Sequence, residues 1–228
     1  MKVSILMSSP GTVLSDIMQF PEIKSQVNYI LTDRICGSID IAVKEGIPYI
    51  RFEESNNEKL SDMILDHLIM SGTDYLIVMF SRLLKGKLLE SYRGRLFNFH
   101  PGLLPAFIGI GARNKAFKST VRFIGNTCHV IDESIDGGPI VQQSIFPRGN
   151  RHRIILEHDL YVQHCKMVIQ LIQWLTEGRC VLSGTNVNVV GARFCESLFS
   201  PNLDSPIAIN FKKDLPENLR QKLLEVEK

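Results

Sequence analysis

Residues 75–80, Tyr-Leu-Ile-Val-Met-Phe, form an apolar run too short for a buried helix and without a polar face to turn to water. A strand covered on both sides satisfies such a run, and strands of that kind belong to parallel sheets held between helices. The chain around it has the alternation this architecture needs. Strands are predicted at 2–7, 26–32, 47–50 and 94–100, with helices at 13–20, 38–46, 59–70 and 85–92 between them. The turn cluster Ser8-Ser9-Pro10-Gly11-Thr12 ends the first strand, with Thr12 as the expected cap of the following helix.

This order predicts an α/β fold: an open, mostly parallel, Rossmann-like sheet with right-handed crossovers and helices on both faces. Past Pro101 the pattern changes to a glycine-containing loop, a short helix at 112–118, strands at 126–131 and 140–146, and an amphipathic helix at 158–178 with Trp174 in the core. Residues 200–206, Ser-Pro-Asn-Leu-Asp-Ser-Pro, read as a linker, and 215–228 as a charged terminal helix. The chain divides accordingly into a catalytic domain at 1–190 and an extension of unassigned role at 191–228.

Composition narrows the function classes. Hydrophobic residues make up 44% of the chain and charged residues 22%, values of a globular domain rather than a disordered one. A net charge of +2 offers no footprint for nucleic acid. The five cysteines are scattered and contain no CxxC pair, so neither a disulfide framework nor a zinc site is expected. No apolar run reaches the roughly 20 residues that a membrane span requires. A cytoplasmic protein is the expectation.

In open α/β sheets ligands bind beyond the carboxyl ends of the strands. The strand at 94–100 ends Asn98-Phe99-His100-Pro101, and side chains two apart on a strand share a face. Asn98 and His100 thus bring an amide and an imidazole to one neighbourhood. Two donors facing one point suit a developing oxyanion, and a carboxylate beside the imidazole favours its charged form. Asp136, in Ile-Asp-Gly-Gly-Pro, is the candidate carboxylate. Taken alone, Asn98 and His100 read first as satisfied core polar groups, and His129 equally as a packed strand histidine.

The combination Asn-Phe-His-Pro-Gly-Leu-Leu-Pro at 98–105 with Asp136 in its DGGP turn resembles the signature of the folate-dependent formyltransferases. The likeness covers residues 2–190; it is greatest to the phosphoribosylglycinamide formyltransferases, with some likeness to the formyltetrahydrofolate deformylases. It implies Asn98, His100 and Asp136 as catalytic residues and 10-formyltetrahydrofolate as co-substrate, with no metal. It implies folate contacts at Arg82, Leu83 and Leu84 and in the loop of Ile131, Asp132 and Glu133. Acceptor contacts fall at Gly11, Thr12 and His129. The implied partner is a small-molecule amine, with no nucleic acid or membrane, and a homodimer is compatible.

The resemblance has departures on the acceptor side. Val13 stands where an asparagine helps to bind phosphate, Ser81 where a methionine lies, and Tyr161 and His164 where polar or charged contacts are usual. An apolar Val13 cannot donate to phosphate. Formylation of an amino sugar or a hydroxyornithine, hydrolysis of the formyl-folate, and folate binding without catalysis are the alternatives. Arg113, Lys115 and Lys118 read as a solvated helix face able to attract an anionic acceptor. A dinucleotide-dependent oxidoreductase is disfavoured, because the first strand-to-helix turn lacks the glycine pattern such sites use.

Overall fold

The computed structural model describes residues 1–195 and 198–226. Strands β1 (Val3–Met7), β2 (Val27–Thr32), β3 (Tyr49–Arg51), β4 (Tyr75–Met79) and β5 (Leu96–His100) alternate with helices α1 (Thr12–Ile17), α2 (Pro21–Lys24), α3 (Gly37–Glu45), α4 (Asn57–Met70) and α5 (Lys87–Ser91). Helix α6 (Ala112–Lys118) follows, then the hairpin β6 (Phe123–Val130) and β7 (Ile140–Pro147), and the long helix α7 (Arg153–Thr176). The remainder comprises β8 (Cys180–Ser183), β9 (Asn186–Val189), β10 (Phe199–Ser200), α8 (Pro206–Asn210) and α9 (Glu217–Val226).

Eight strands form one sheet in the order β10-β7-β6-β5-β4-β1-β2-β3, while β8 and β9 pair separately. Neighbours from β3 to β5 run parallel. β6, β7 and β10 add antiparallel to that edge. Chain connectivity accounts for the β6–β7 pair. A parallel neighbour needs a crossover of a dozen residues or more, whereas β6 and β7 are joined by a short loop and so pair as a hairpin.

The two faces are covered as the unbroken apolar strands require. Phe97 and Phe99 of β5 face α1 and α7 in a cluster that includes Trp174, fully buried as expected. Leu96 faces the opposite layer of α4 and α5, with Leu60, Ile64 and Leu88. Helix α4 starts where Asn56 accepts hydrogen bonds from the amides of Glu58 and Lys59, at 2.9 and 3.1 Å. Among the described residues no helix is long and apolar enough to cross a membrane.

Two expectations are corrected. Thr12 does not cap α1: the cap position is Gly11, with φ of 81°, and Thr12 is the first helical residue. The turn at the end of β1 requires a left-handed backbone, which glycine adopts without steric cost. Nor is 200–206 a linker. β10 pairs with β7 at the sheet edge, and Pro201, Asn202 and Ser205 are buried. Asp204 accepts from Trp174 Nε1 at 3.0 Å, Gln170 Nε2 at 2.7 Å and Arg179 at 2.7 Å, so α7 satisfies the polar groups that made the segment read as solvated.

Gly125 makes the β6–β7 hairpin sensitive to a single methyl group. A Cβ at that position would run into the backbone carbonyl of Ser144 and lie 2.8 Å from Leu103 Cδ2. Gly125→Ala is expected to destabilise the fold by about 3 kcal/mol, the upper end of ordinary overpacking, because backbone rather than a rotatable side chain must give way. Urea unfolding checks this; a midpoint equal to the native one would show that the hairpin relaxes freely.

Candidate active site

The burial of β5 points to the site. Every residue of the strand is buried except Asn98, which is half-exposed. Alternation along the strand sends Phe97 and Phe99 to the α7 face and therefore Asn98 and His100 to the other. In β6, Cys128 and Val130 join the same α7 cluster, so His129 projects with Asn98. The antiparallel register sets Asn98 directly opposite His129.

Hydrogen bonds fix the tautomer of His129. Its Nδ1 lies 3.0 Å from the carbonyl of Val130 and carries the proton, which leaves Nε2 to accept from Asn98 Nδ2 at 3.0 Å. Burial holds this imidazole below its ordinary titration range, against the opposing pull of Val130's carbonyl and of Asp136. The bond orients the Asn98 amide and uses one of its two Nδ2 hydrogens. The second is available to a ligand.

His100, 4% exposed, is held differently. Its Nδ1 faces Asp136 Oδ2 at 3.2 Å and its Nε2 faces the Phe107 carbonyl at 3.1 Å. Both neighbours are acceptors, so the ring donates to both only when it carries two protons. Asp136 also accepts from the Gly109 amide at 2.8 Å, and its other oxygen lies 3.7 Å from His129 Nε2. Phe107 and Asp136 both have left-handed backbones, φ 60° and 51°, uncommon for residues other than glycine. The structure thus brings Asn98, His100, His129 and Asp136 together. Phe107 and Gly109 escape sequence reasoning; the glycines of Phe-Ile-Gly-Ile-Gly are the only local signal for that turn.

The remaining candidates divide between two places. Arg82 spends its guanidinium on the loop before α4, donating to the carbonyls of Glu54 and Ser55 at 2.7 Å each and to Asn57 Oδ1 at 2.9 Å. Its side chain thereby braces the segment of Leu83 and Leu84. Leu84 and Ile131 pack into the same apolar cluster, beneath the face that carries Asn98. Asp132 accepts from the Ser134 amide at 2.8 Å, and Glu133 is exposed. Gly11 and Thr12 lie at the end of β1, where Ser8 and Ser81 hydroxyls meet at 3.4 Å and connect β1 to β4.

The departures are structural as well as chemical. Val13 is buried in the core. Tyr161 donates to Asp16 Oδ2 at 2.6 Å and to the Thr12 carbonyl at 3.1 Å, while Lys213, from the tail, pairs with Asp16 at 2.8 Å. Burial raises the Tyr161 phenol far above its ordinary value, and Asp16 adds to this. His164 stacks on Phe99 with ring centroids 5.0 Å apart.

Burial, with the charge of Arg113, pushes His164 down to about 4. Its neutral form therefore stabilises the fold fully above the unfolded value near 6.5, and this contribution is lost as pH falls toward 4. The loss is on the order of 3 kcal/mol. His164→Leu is expected to flatten the stability profile by that amount across this window, as read by urea unfolding at several pH values; an unchanged slope would show that His164 is not the titrating group.

Fold and site together define the class: an α/β enzyme whose acid–base groups gather at the carboxyl end of a central strand. Residues 1–148 match the family described as formyl transferase, well over half of the chain. The chain belongs to the formyl transferase family and is an enzyme of formyl-group transfer. It is 28% identical over 189 residues to a phosphoribosylglycinamide formyltransferase of Haemophilus influenzae, covering 78% of this chain and 88% of that protein. It is 32% identical over 151 residues to a mitochondrial formyltetrahydrofolate deformylase of Arabidopsis thaliana, covering 64% of this chain and 46% of that one. The fold of glycinamide ribonucleotide transformylase 1 from Symbiobacterium toebii superimposes with a TM-score of 0.76 at 24% identity, over 82% of this chain and 93% of that chain.

Proposed function

We propose that this chain transfers the formyl group of 10-formyltetrahydrofolate to the amine of a small-molecule acceptor. The observation that carries the reading is the pairing of an oriented Asn98 amide with a His100 ring held against Asp136. The acceptor nitrogen attacks the formyl carbon and the carbonyl oxygen becomes an oxyanion. Asn98 donates its free hydrogen to that oxygen, and His100 supplies positive charge beside it. Collapse of the intermediate breaks the bond to N10, which takes up a proton lost by the acceptor nitrogen, relayed by Asp136.

In this reading folate lies along Arg82, Leu83, Leu84 and the loop of Ile131, Asp132 and Glu133, and the acceptor along Gly11 and Thr12, with His129 between them. Residues 1–190 form the catalytic unit, and 191–228 brace its acceptor side through Lys213. Val13, Ser81, Tyr161 and His164 favour an amine other than glycinamide ribonucleotide. The identity to the Arabidopsis protein supports a second reading, in which water replaces the amine.

Tetrahydrofolate release from 10-formyltetrahydrofolate, followed by absorbance, tests both. It is measured without acceptor, with glycinamide ribonucleotide, and with amino sugars and hydroxylated amino acids. Release with one amine identifies the acceptor, release in water alone makes the enzyme a hydrolase, and silence throughout overturns the transfer reading.

A further inference from the structure

Arg113 is the second residue of α6, and its Nε is shut off from solvent with no hydrogen-bond partner. Among the described residues no carboxylate pairs with its guanidinium. Glu157, the acidic residue whose charge reaches it, is bonded instead to Arg153 at 2.8 Å. Three other partly buried arginines differ. Arg82, Arg148 and Arg179 each donate to carbonyls or carboxylates on two sides. A guanidinium whose Nε is shielded and which has no counter-ion has given up part of its hydration without a partner, so an anion that meets it stabilises the protein.

The surroundings place this cation at the acceptor side. Arg113 shares a small cavity with Pro101, Gly102 and Phe107, the turn that follows His100 and contacts its ring. Across from it on α7, His164 Nε2 is likewise shut off and unpartnered, and its ring stacks on Phe99, between Asn98 and His100 in sequence. One turn earlier on α7, Tyr161 bonds the carbonyl of Thr12. Helix α7 therefore connects Arg113 to the loop at the end of β1. Leu84 and Ile131, the residues read as folate contacts, pack on the opposite face of the sheet, the face that also carries Asn98 and His100, so Arg113 meets the site through the turn of Pro101, Gly102 and Phe107.

We propose that Arg113, with His164 beside it, binds the anionic group of the formyl acceptor, a carboxylate or a phosphate; this assignment rests on the transfer reading above. An acceptor that carries such a group presents its amine to the formyl carbon while the anion neutralises Arg113. The planar guanidinium favours a two-oxygen partner.

Two measurements on the full chain decide the proposal. The Arg113 Nε–Hε resonance, assigned by its absence in Arg113→Gln, is titrated with inorganic phosphate and with acetate; a saturable shift with either supports the anion site, and none with either overturns it. In steady-state assays Arg113→Gln is expected to raise KM for a carboxylate- or phosphate-bearing acceptor by about 10-fold to 100-fold, with kcat little changed. Arg113→Lys, which keeps the charge and guards against misfolding of the glutamine variant, should fall between. A rise in KM for 10-formyltetrahydrofolate instead would assign the cation to the donor and overturn the proposal. If no amine is formylated at all, the transfer reading fails while the titration still judges the anion site.

Discussion

Asp136→Asn is expected to lower turnover at least about 100-fold while leaving the fold intact. The two side chains have nearly the same shape, and asparagine tolerates the left-handed backbone that Asp136 adopts, φ 51°. The amide oxygen can still accept from Gly109, so the turn keeps its 2.8 Å contact. What disappears is the negative charge facing His100 Nδ1 at 3.2 Å. The same oxygen faces both Gly109 and His100, so the new amide nitrogen takes the place of Oδ1, 3.7 Å from His129 Nε2, and the His100 ring keeps an acceptor but loses the carboxylate charge beside it. Thermal unfolding and single-turnover formyl transfer, measured on the same preparation, separate stability from chemistry. A rate within threefold of the native one would remove Asp136 from the mechanism.

Asn98→Ala acts on the oxyanion directly. Loss of one oriented donor to a developing negative oxygen costs about 100-fold to 1000-fold in turnover in comparable sites. Because the donor bonds more strongly as charge develops, the effect should fall on kcat, with KM for both substrates little altered. The variant also leaves His129 Nε2, 2% exposed as a residue, without the donor that now lies at 3.0 Å. That orphaned acceptor should cost about 1–3 kcal/mol in stability. A variant with a lower unfolding midpoint but unchanged kcat would make Asn98 a structural residue that orients His129 and nothing more.

Strand periodicity was sufficient for the parallel half of the sheet, since β4 carries an unbroken apolar run and β1 and β5 are apolar on at least one whole face, which helical cover satisfies. It also set Asn98 and His100 on one face, because a period of two is a property of any strand. Asp136 was reached through resemblance rather than periodicity. Its approach to His100 depends on the β5–β6 register, a contact between segments distant in the chain. The segment 200–206 misled because proline, serine and asparagine are turn formers in isolation. Gln170 and Trp174 supply the bonds that let it pack, and those lie on another element. Arg113 looked like one of three cations on a solvated face, and only packing against α7 buries its Nε.

The sequence by itself determined the layers of residues 1–147: which of its segments are strands, which faces are apolar, and which strand end carries an amide and an imidazole. These are local properties, set by side-chain alternation and turn chemistry along the chain. The tertiary structure decided the rest. It decided that His129 accepts from Asn98, that Phe107 and Asp136 clasp His100, that Lys213 reaches Asp16, and that Arg113 is left without a counter-ion. All but the Phe107 contact rest on residues far apart in sequence, and such distances exist only once the chain has closed on itself.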